Sequence, residues 1–354
     1  MSRESFSCHE AQSALAEIKS LRTDFEQTFQ DALKTSDLAR AKEIRSAMQG
    51  KITSLREAVF PLERELGIKS QYESQRGILE EAFVLEHLSS GEMGIHGIDG
   101  KGYPMPSYRE VAQRMREKRE VFVQKKEQGF IKLLIVPFGM SLDSLTQEYA
   151  NLLLKHYNEG KLFAEKQNAS DPDVPLELNI GEPVWRWSDY ANADVDGKLI
   201  YEPKEFSQNH GGLTKTEILA NRKPGMVPAW RVLMVEANPN IPRENAGKDV
   251  GTRKQLEANR TPNDYLRGIG KGIYDHESGM TPEDWLAFAI TNLQEQNQAI
   301  DDDVAAYNTG GYFPASGGVP DAYWGRGARR ARLSRSVPAR RDDDLGARSA
   351  VRVD

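Results

Sequence analysis

The sequence has one cysteine, Cys8, in 354 residues. That excludes an intrachain disulfide, CxxC redox chemistry and any zinc site built on several thiolates, and it points to a reducing compartment. No run of about 18 apolar residues occurs, so no membrane insertion is expected. The opening MSRESFSCHEAQSALAEIKS lacks a basic stretch followed by an apolar one, so no secretory signal is expected. The default location is therefore cytoplasmic, with surface or particle display left open. Histidine is scarce too. His9, His87, His96, His156, His210 and His276 never fall at i, i+3 or i+4, and HExxH is absent, so no metal site is expected. The glycine-rich runs 246–251 and 268–272 lack the GxxxxGK[ST] spacing of a phosphate loop, and there is no Gly-x-Ser-x-Gly elbow. No cofactor and no catalytic residue is implied.

What is present suffices for a folded protein: 38% apolar residues, with 12 Phe, 12 Tyr and 5 Trp, at a net charge of −6. Residues 10–66 read as two amphipathic helices, with seams Leu15, Ile18, Leu21, Phe25, Phe29, Leu33 and then Leu38, Ala41, Ile44, Met48, Ile52, Leu55, Val59, Leu62. A short turn at Thr35-Ser36-Asp37 makes them an antiparallel hairpin, and such a stripe is buried against its partner, the later domain or a second copy. The arm is thus a candidate for homo-oligomerisation. Single helices are predicted over 70–89 and 107–126, separated by glycine-rich turns. The texture changes at Gly129. Phe130–Phe138 is the most strand-like run, and a helix follows from Ser141. Beyond 170 come short strands at 184–187, 199–201 and 230–236, a polar surface excursion over 243–272, and a helix started by Thr281-Pro-Glu-Asp. The reading is α+β: a helical N-terminal arm (1–127) and a mixed domain with short twisted strands (128–354).

The C-terminal segment is anomalous. Residues 299–354 contain no Lys, Glu, Gln or Met, although the chain has 20 lysines. Nine arginines lie between Arg326 and Arg352, against four aspartates from Trp324 onward, which makes this stretch +5 and the remainder −11. A mixed surface uses both members of each charge pair. The ending 345–353 reads as one closing strand, with Ala347, Ser349, Val351 and Val353 on one face. That is unlike a loose basic tail.

The runs Tyr312-Phe-Pro-Ala-Ser-Gly-Gly, Tyr323-Trp-Gly-Arg-Gly-Ala-Arg-Arg-Ala-Arg-Leu-Ser-Arg-Ser-Val-Pro338 and Asp344-Leu-Gly-Ala-Arg-Ser-Ala-Val-Arg-Val353 resemble the C-terminal variable region of proteins targeted by diversity-generating retroelements. The family's Trp-x-x-Gly, Leu-x-x-x-x-Pro and Leu-Gly-x-Arg elements fall at Trp324/Gly327, Leu333/Pro338 and Leu345/Gly346/Arg348. Ala347 stands where a larger apolar residue is commoner. The resemblance covers about 45 residues and implies a C-type-lectin-like domain of the formylglycine-generating-enzyme branch, with a variable region at about 312–354. It also implies diversification at adenines of Asn codons, whose third base stays a pyrimidine. Lys, Glu, Gln, Met and Trp are then unreachable, which matches the missing set except for Trp324.

The implied function is non-enzymatic recognition of a protein or other macromolecular surface. The displayed residues would be Tyr323, Gly325, Arg326, Arg329, Arg330, Arg332, Arg335, Ser336, Arg340, Arg341, Asp342 and Asp343. Trp324, Leu333, Pro338, Leu345, Gly346 and Val351 would be the scaffold. The paired cysteines of the related oxidase and the calcium loop of sugar-binding lectins are both absent. Two alternatives stay open. One is an enzyme with a pocket around Trp185, Trp187, Tyr201 and nearby carboxylates, aromatics that with Tyr190 could also line a sugar-binding face or a small sheet's core; the other is nucleic-acid binding through the arginines.

Overall fold

The computed structural model describes residues 66–353 apart from 165–173 and 222–228, together with scattered positions between 19 and 46. The chain parts into two units, 1–67 and 68–354. In the first, the described positions from Lys19 to Ser46 are helical and exposed; the apolar seams of the hairpin lie outside the described residues.

The second unit opens with α1 (Ile68–Glu81), which buries Ile68, Tyr72, Ile78 and Leu79. It stops short of the predicted 89 because Phe83 adopts a left-handed φ of 57°. A three-stranded antiparallel meander follows, β1 (Glu86–His87), β2 (Met93–His96) and β3 (Gly102–Pro104), built from the glycine-rich stretch. The single helix predicted over 107–126 is two, α2 (Tyr108–Glu117) and α3 (Arg119–Glu127), because Lys118 leaves helical geometry between them (φ −109°, ψ 26°).

The strand β4 (Phe130–Val136) explains why the unit begins at 68 and not at 128. Leu133, Leu134, Ile135 and Val136 are buried, yet β4 pairs on one side only, with β8 (Arg231–Glu236). Its open side carries peptide groups that need partners. Helix α1 supplies them: Gln71 Oε1 accepts from Leu133 N at 2.6 Å, Gln71 Nε2 donates to Ile131 O at 2.9 Å, and Gln75 Oε1 accepts from Ile135 N at 3.3 Å. The helices assigned by sequence to the arm are thus tied to the mixed unit.

Next come α4 (Leu142–Asn158), capped by Ser141, then β5 (Val184–Arg186), β6 (Ile200–Tyr201), β7 (Leu213–Thr214) and α5 (Lys215–Ala220). The 243–272 segment is not a mere surface excursion. It forms β9 (Asp249–Val250), β10 (Arg253–Lys254) and α6 (Pro262–Gly268), and it buries Arg253, Leu256, Ala258 and Tyr265. After β11 (Glu277–Gly279), α7 (Pro282–Gln296) begins as predicted, with a reciprocal Thr281–Asp284 capping box and Pro282 in the first turn. It is buried almost all round from Pro282 to Leu293 and packs on α4 and β4.

The C-terminal region supplies β12 (Ala305–Tyr307), β13 (Gly311–Tyr312), β14 (Val319–Gly325), β15 (Arg330–Ser336), β16 (Leu345–Ala347) and β17 (Ser349–Arg352). One sheet runs β11-β17-β8-β4, antiparallel throughout. The other runs β16-β12-β14-β15-β5, with parallel pairs at both edges. The architecture is mixed α+β.

The predicted closing strand is real but divided. It leaves one sheet at Ala347 and joins the other at Ser349, with Arg348 at the corner holding both oxygens of Asp301 and the Pro239 carbonyl. Val351 sits opposite Met234 and Glu277, inside the four-stranded sheet. Gly346 is a close-approach site, since a Cβ there would lie 2.5 Å from Ile241 and 3.2 Å from Ala258 Cα. Among the described residues no helix is long and apolar enough to cross a membrane.

Candidate ligand-binding face

Strand register decides which side chains meet. In β14 and β15, Asp321 pairs with Ser334, Tyr323 with Arg332, and Gly325 with Arg330, so these six share one face. Ala322/Leu333 and Trp324/Ala331 share the other, which is core: Trp324 is 3% exposed and Leu333 is fully buried. On the first face β5 places Trp185 beside Arg332. The Arg332 guanidinium lies 4.3 Å from the Trp185 ring centre and 5.6 Å from that of Tyr323. Such a sandwich is worth about 0.5–2 kcal/mol and fixes a flexible side chain. The opposite end of the face is closed where Tyr265 of α6 meets Tyr307 of β12, with Leu256, Leu345 and Ala347 packed around them.

Between these ends lies a cavity of about 340 Å³. Six of the sequence-predicted contact residues line it: Tyr323, Gly325, Arg326, Arg335, Ser336 and Arg340. Arg330 and Arg332 stand along the same face, and Arg329, exposed with a φ of 55°, occupies the β14–β15 turn. Arg341, Asp342 and Asp343 belong to the loop after β15; Arg341 turns away to Glu244 and Asn259. Ser336 is not displayed. It is buried, and its hydroxyl donates to Asp321 Oδ2 at 2.8 Å.

The arginines are less cationic in place than in sequence. Seven of the nine hold carboxylates: Arg326 with Asp302, Arg330 with Glu182, Arg335 with Asp189, Arg340 with Asp342, Arg341 with Glu244, Arg348 with Asp301 and Arg352 with Glu202. Of these nine, Arg329 and Arg332 have no ion pair among the described residues.

Sequence reasoning missed the acidic side of the cavity, formed by Asp301, Asp302, Asp303, Asp321 and Asp344. Asp301 is buried, which raises its carboxyl pKa, while Arg348 and the Trp285 indole N–H (2.7 Å) pull it down. Asp321 is 3% exposed, and burial pushes its carboxyl up to about 6. The signal available was a charged residue at an alternating position in Val319-Pro-Asp-Ala-Tyr-Trp.

The aromatic residues of the enzyme alternative do not form one site. Trp185 and Trp187 do point the same way, with ring centres 6.0 Å apart. Tyr190 is buried, and its hydroxyl donates to the Ser334 carbonyl. Tyr201 is buried elsewhere, donating to Glu283 at 2.6 Å beside Lys215. No protein-family model, curated protein or solved structure matches the chain.

Proposed function

We propose that the second unit is a C-type-lectin-like display module that recognises a macromolecular surface, without catalysis, through the face of β14 and β15 and the adjoining loop. The supporting observation is the Trp185–Arg332–Tyr323 sandwich beside an open cavity, on a seven-pair antiparallel ladder whose reverse face is core. A ladder fixes backbone positions independently of the outward side chains. Their identity can then change without refolding, and part of the ordering cost of binding, about 0.5–1.5 kcal/mol per immobilised side chain, is avoided. Arginine and tyrosine are the residue types that give most contact energy at interfaces. The pairing of seven arginines weighs against a phosphate-seeking surface, which needs free cations.

The test has two parts. In the gene, Arg326, Arg329, Arg332 and Arg335 should use codons ending in T or C, with a near-copy rich in adenine beside a reverse transcriptase gene. Codons AGA, AGG, CGA or CGG at these positions remove the retroelement reading. In the protein, a library randomised at Arg326, Arg329, Arg332 and Arg340 should stay folded in most clones and yield binders to an arbitrary target protein. A library that is mostly unfolded defeats the display reading.

A further inference from the structure

We infer that the cavity on this face accepts a cationic group of the ligand, an ammonium or guanidinium, with Asp321 as its counter-ion and Asp344 at its rim. The inference rests on the recognition reading and reverses the charge that the arginine-rich sequence suggests for the ligand.

The charges lining the cavity are not all paired. The cavity holds five aspartates and three arginines. Every arginine in it is engaged: Arg326 by Asp302 at 2.7 Å, Arg335 by Asp189 at 3.1 Å, and Arg340 by Asp342, its Nε at 2.6 Å. Two of the aspartates are held by arginines from outside the cavity, Asp301 by Arg348 and Asp303 by Arg243 at 2.6 Å. Asp321 and Asp344 are left over. Among the described residues neither has a cation in ion-pair contact.

Asp321 is the unusual one. A carboxylate that is 3% exposed is stable only when paired or well hydrogen-bonded. This one has a single hydroxyl, Ser336 Oγ, and opens onto a cavity large enough for a side-chain-sized group. Tyr323, one face-neighbour along, offers a ring against which a cation can lie.

The neighbours of Asp321 set its titration. Burial raises the carboxyl to about 6; the Ser336 hydroxyl and the more distant Arg340, Arg332 and Arg335 pull it back down. The phenols of Tyr307, Tyr190 and Tyr323 also feel its charge, and Asp344 faces the same cavity. At pH 7.5 Asp321 is ionised and attracts a cation; near pH 5 it is protonated and does not.

Two sources present such a group, a Lys or Arg side chain of a protein and a free polyamine. The test uses the full chain, with N-acetyl-lysine methylamide, N-acetyl-arginine methylamide and spermidine as probes and N-acetyl-glutamate methylamide as the acidic control. Backbone amide resonances are followed through each titration. The basic probes should shift the amides of Asp321, Ser334 and Asp344, and the acidic control should not. Affinity should fall about ten-fold in Asp321→Asn, about ten-fold in the unmodified protein from pH 7.5 to 5, and two- to three-fold in Asp344→Asn. The last change is exposed and leaves folding intact. Tighter binding of an amino-acid probe points to a protein side chain, and tighter spermidine binding to a polyamine. Equal shifts from the acidic control, or unchanged affinity in Asp321→Asn, overturn the inference. A library-selected target whose binding needs Arg332 but not Asp321 overturns it too, while leaving the recognition reading intact. An unfolded library defeats that reading whatever the probes do.

Discussion

Two populations of ion pairs occupy the second unit, and they behave oppositely. Under β11 and the start of α7 the charges are sealed. Glu277 is surrounded by Lys125 at 2.7 Å, Arg253 at 2.9 Å and the Ser349 hydroxyl. Lys215 lies between Asp194 at 2.6 Å and Glu283 at 2.8 Å, with all three side chains fully buried. Along β15 and its loop, most of the pairs have at least one partner open to water: Arg340 is 56% exposed and Arg341 60%. A buried pair is costly to break because the surviving partner is left charged without water. An exposed pair is solvated again at once. The first population specifies how the chain packs. The second is held less tightly, which is the property the proposed contact face requires.

Breaking the sealed population should give the largest effect. Glu277→Gln leaves Lys125 and Arg253 without their shared anion, and a loss of about 3–5 kcal/mol is expected in urea unfolding. Lys215→Met should cost a similar amount by stranding Asp194 and Glu283. A loss under about 1 kcal/mol in both would mean the two populations do not differ.

Asp321 sharpens the comparison, since it is buried like the first population but unpaired. Its folded pKa of about 6 lies above the ordinary carboxylate value of 3.8. The folded state therefore binds the extra proton between these values. Stability contributed by this group is greatest below about pH 4 and is lost as pH rises through about 6. Asp321→Asn should thus stabilise the protein by about 1–3 kcal/mol at pH 7.5, with the gain vanishing near pH 4. Paired urea titrations of both proteins across that range measure it. A destabilised variant at pH 7.5 would show that the carboxylate is satisfied.

The smallest effects are expected on the open pairs. Arg330→Ser, Arg340→Ser and Arg341→Ser, whose carboxylate partners reach water, should each change stability by no more than about 1 kcal/mol, and by less at high salt. Thermal unfolding of the three variants checks this. A drop of several kcal/mol for any of them would place that arginine among the structural charges.

Much of the fold was legible where local patterns are strong. The β4 run, the Ser141 and Thr281 helix starts, and the burial of Trp324, Leu333 and Val351 follow from apolar spacing and capping chemistry. The splits at Lys118 and Arg348 were not legible, because apolar spacing does not mark where a backbone leaves its regular geometry; at Arg348 the side chain ties the corner to Asp301. The compact unit begins at 68 and not at the change of texture near 128 because of contacts remote in sequence. Glutamines in α1 complete an edge strand about 60 residues away, and spacing within a helix carries no trace of that. Of the proposed contact face, the alternation in 319–336 marks Tyr323, Arg330 and Arg332, but not Trp185, which arrives through a parallel pairing with a strand about 145 residues earlier.

The sequence by itself determined the longer helices and strands, the burial of the C-terminal segment and its peculiar residue usage, since periodicity and composition are local quantities. Whether nine arginines make a positive surface was decided only in three dimensions. Charge is felt through distance and solvent, and the aspartates and glutamates that neutralise seven of them come from as far back as Glu182 and as near as Asp342.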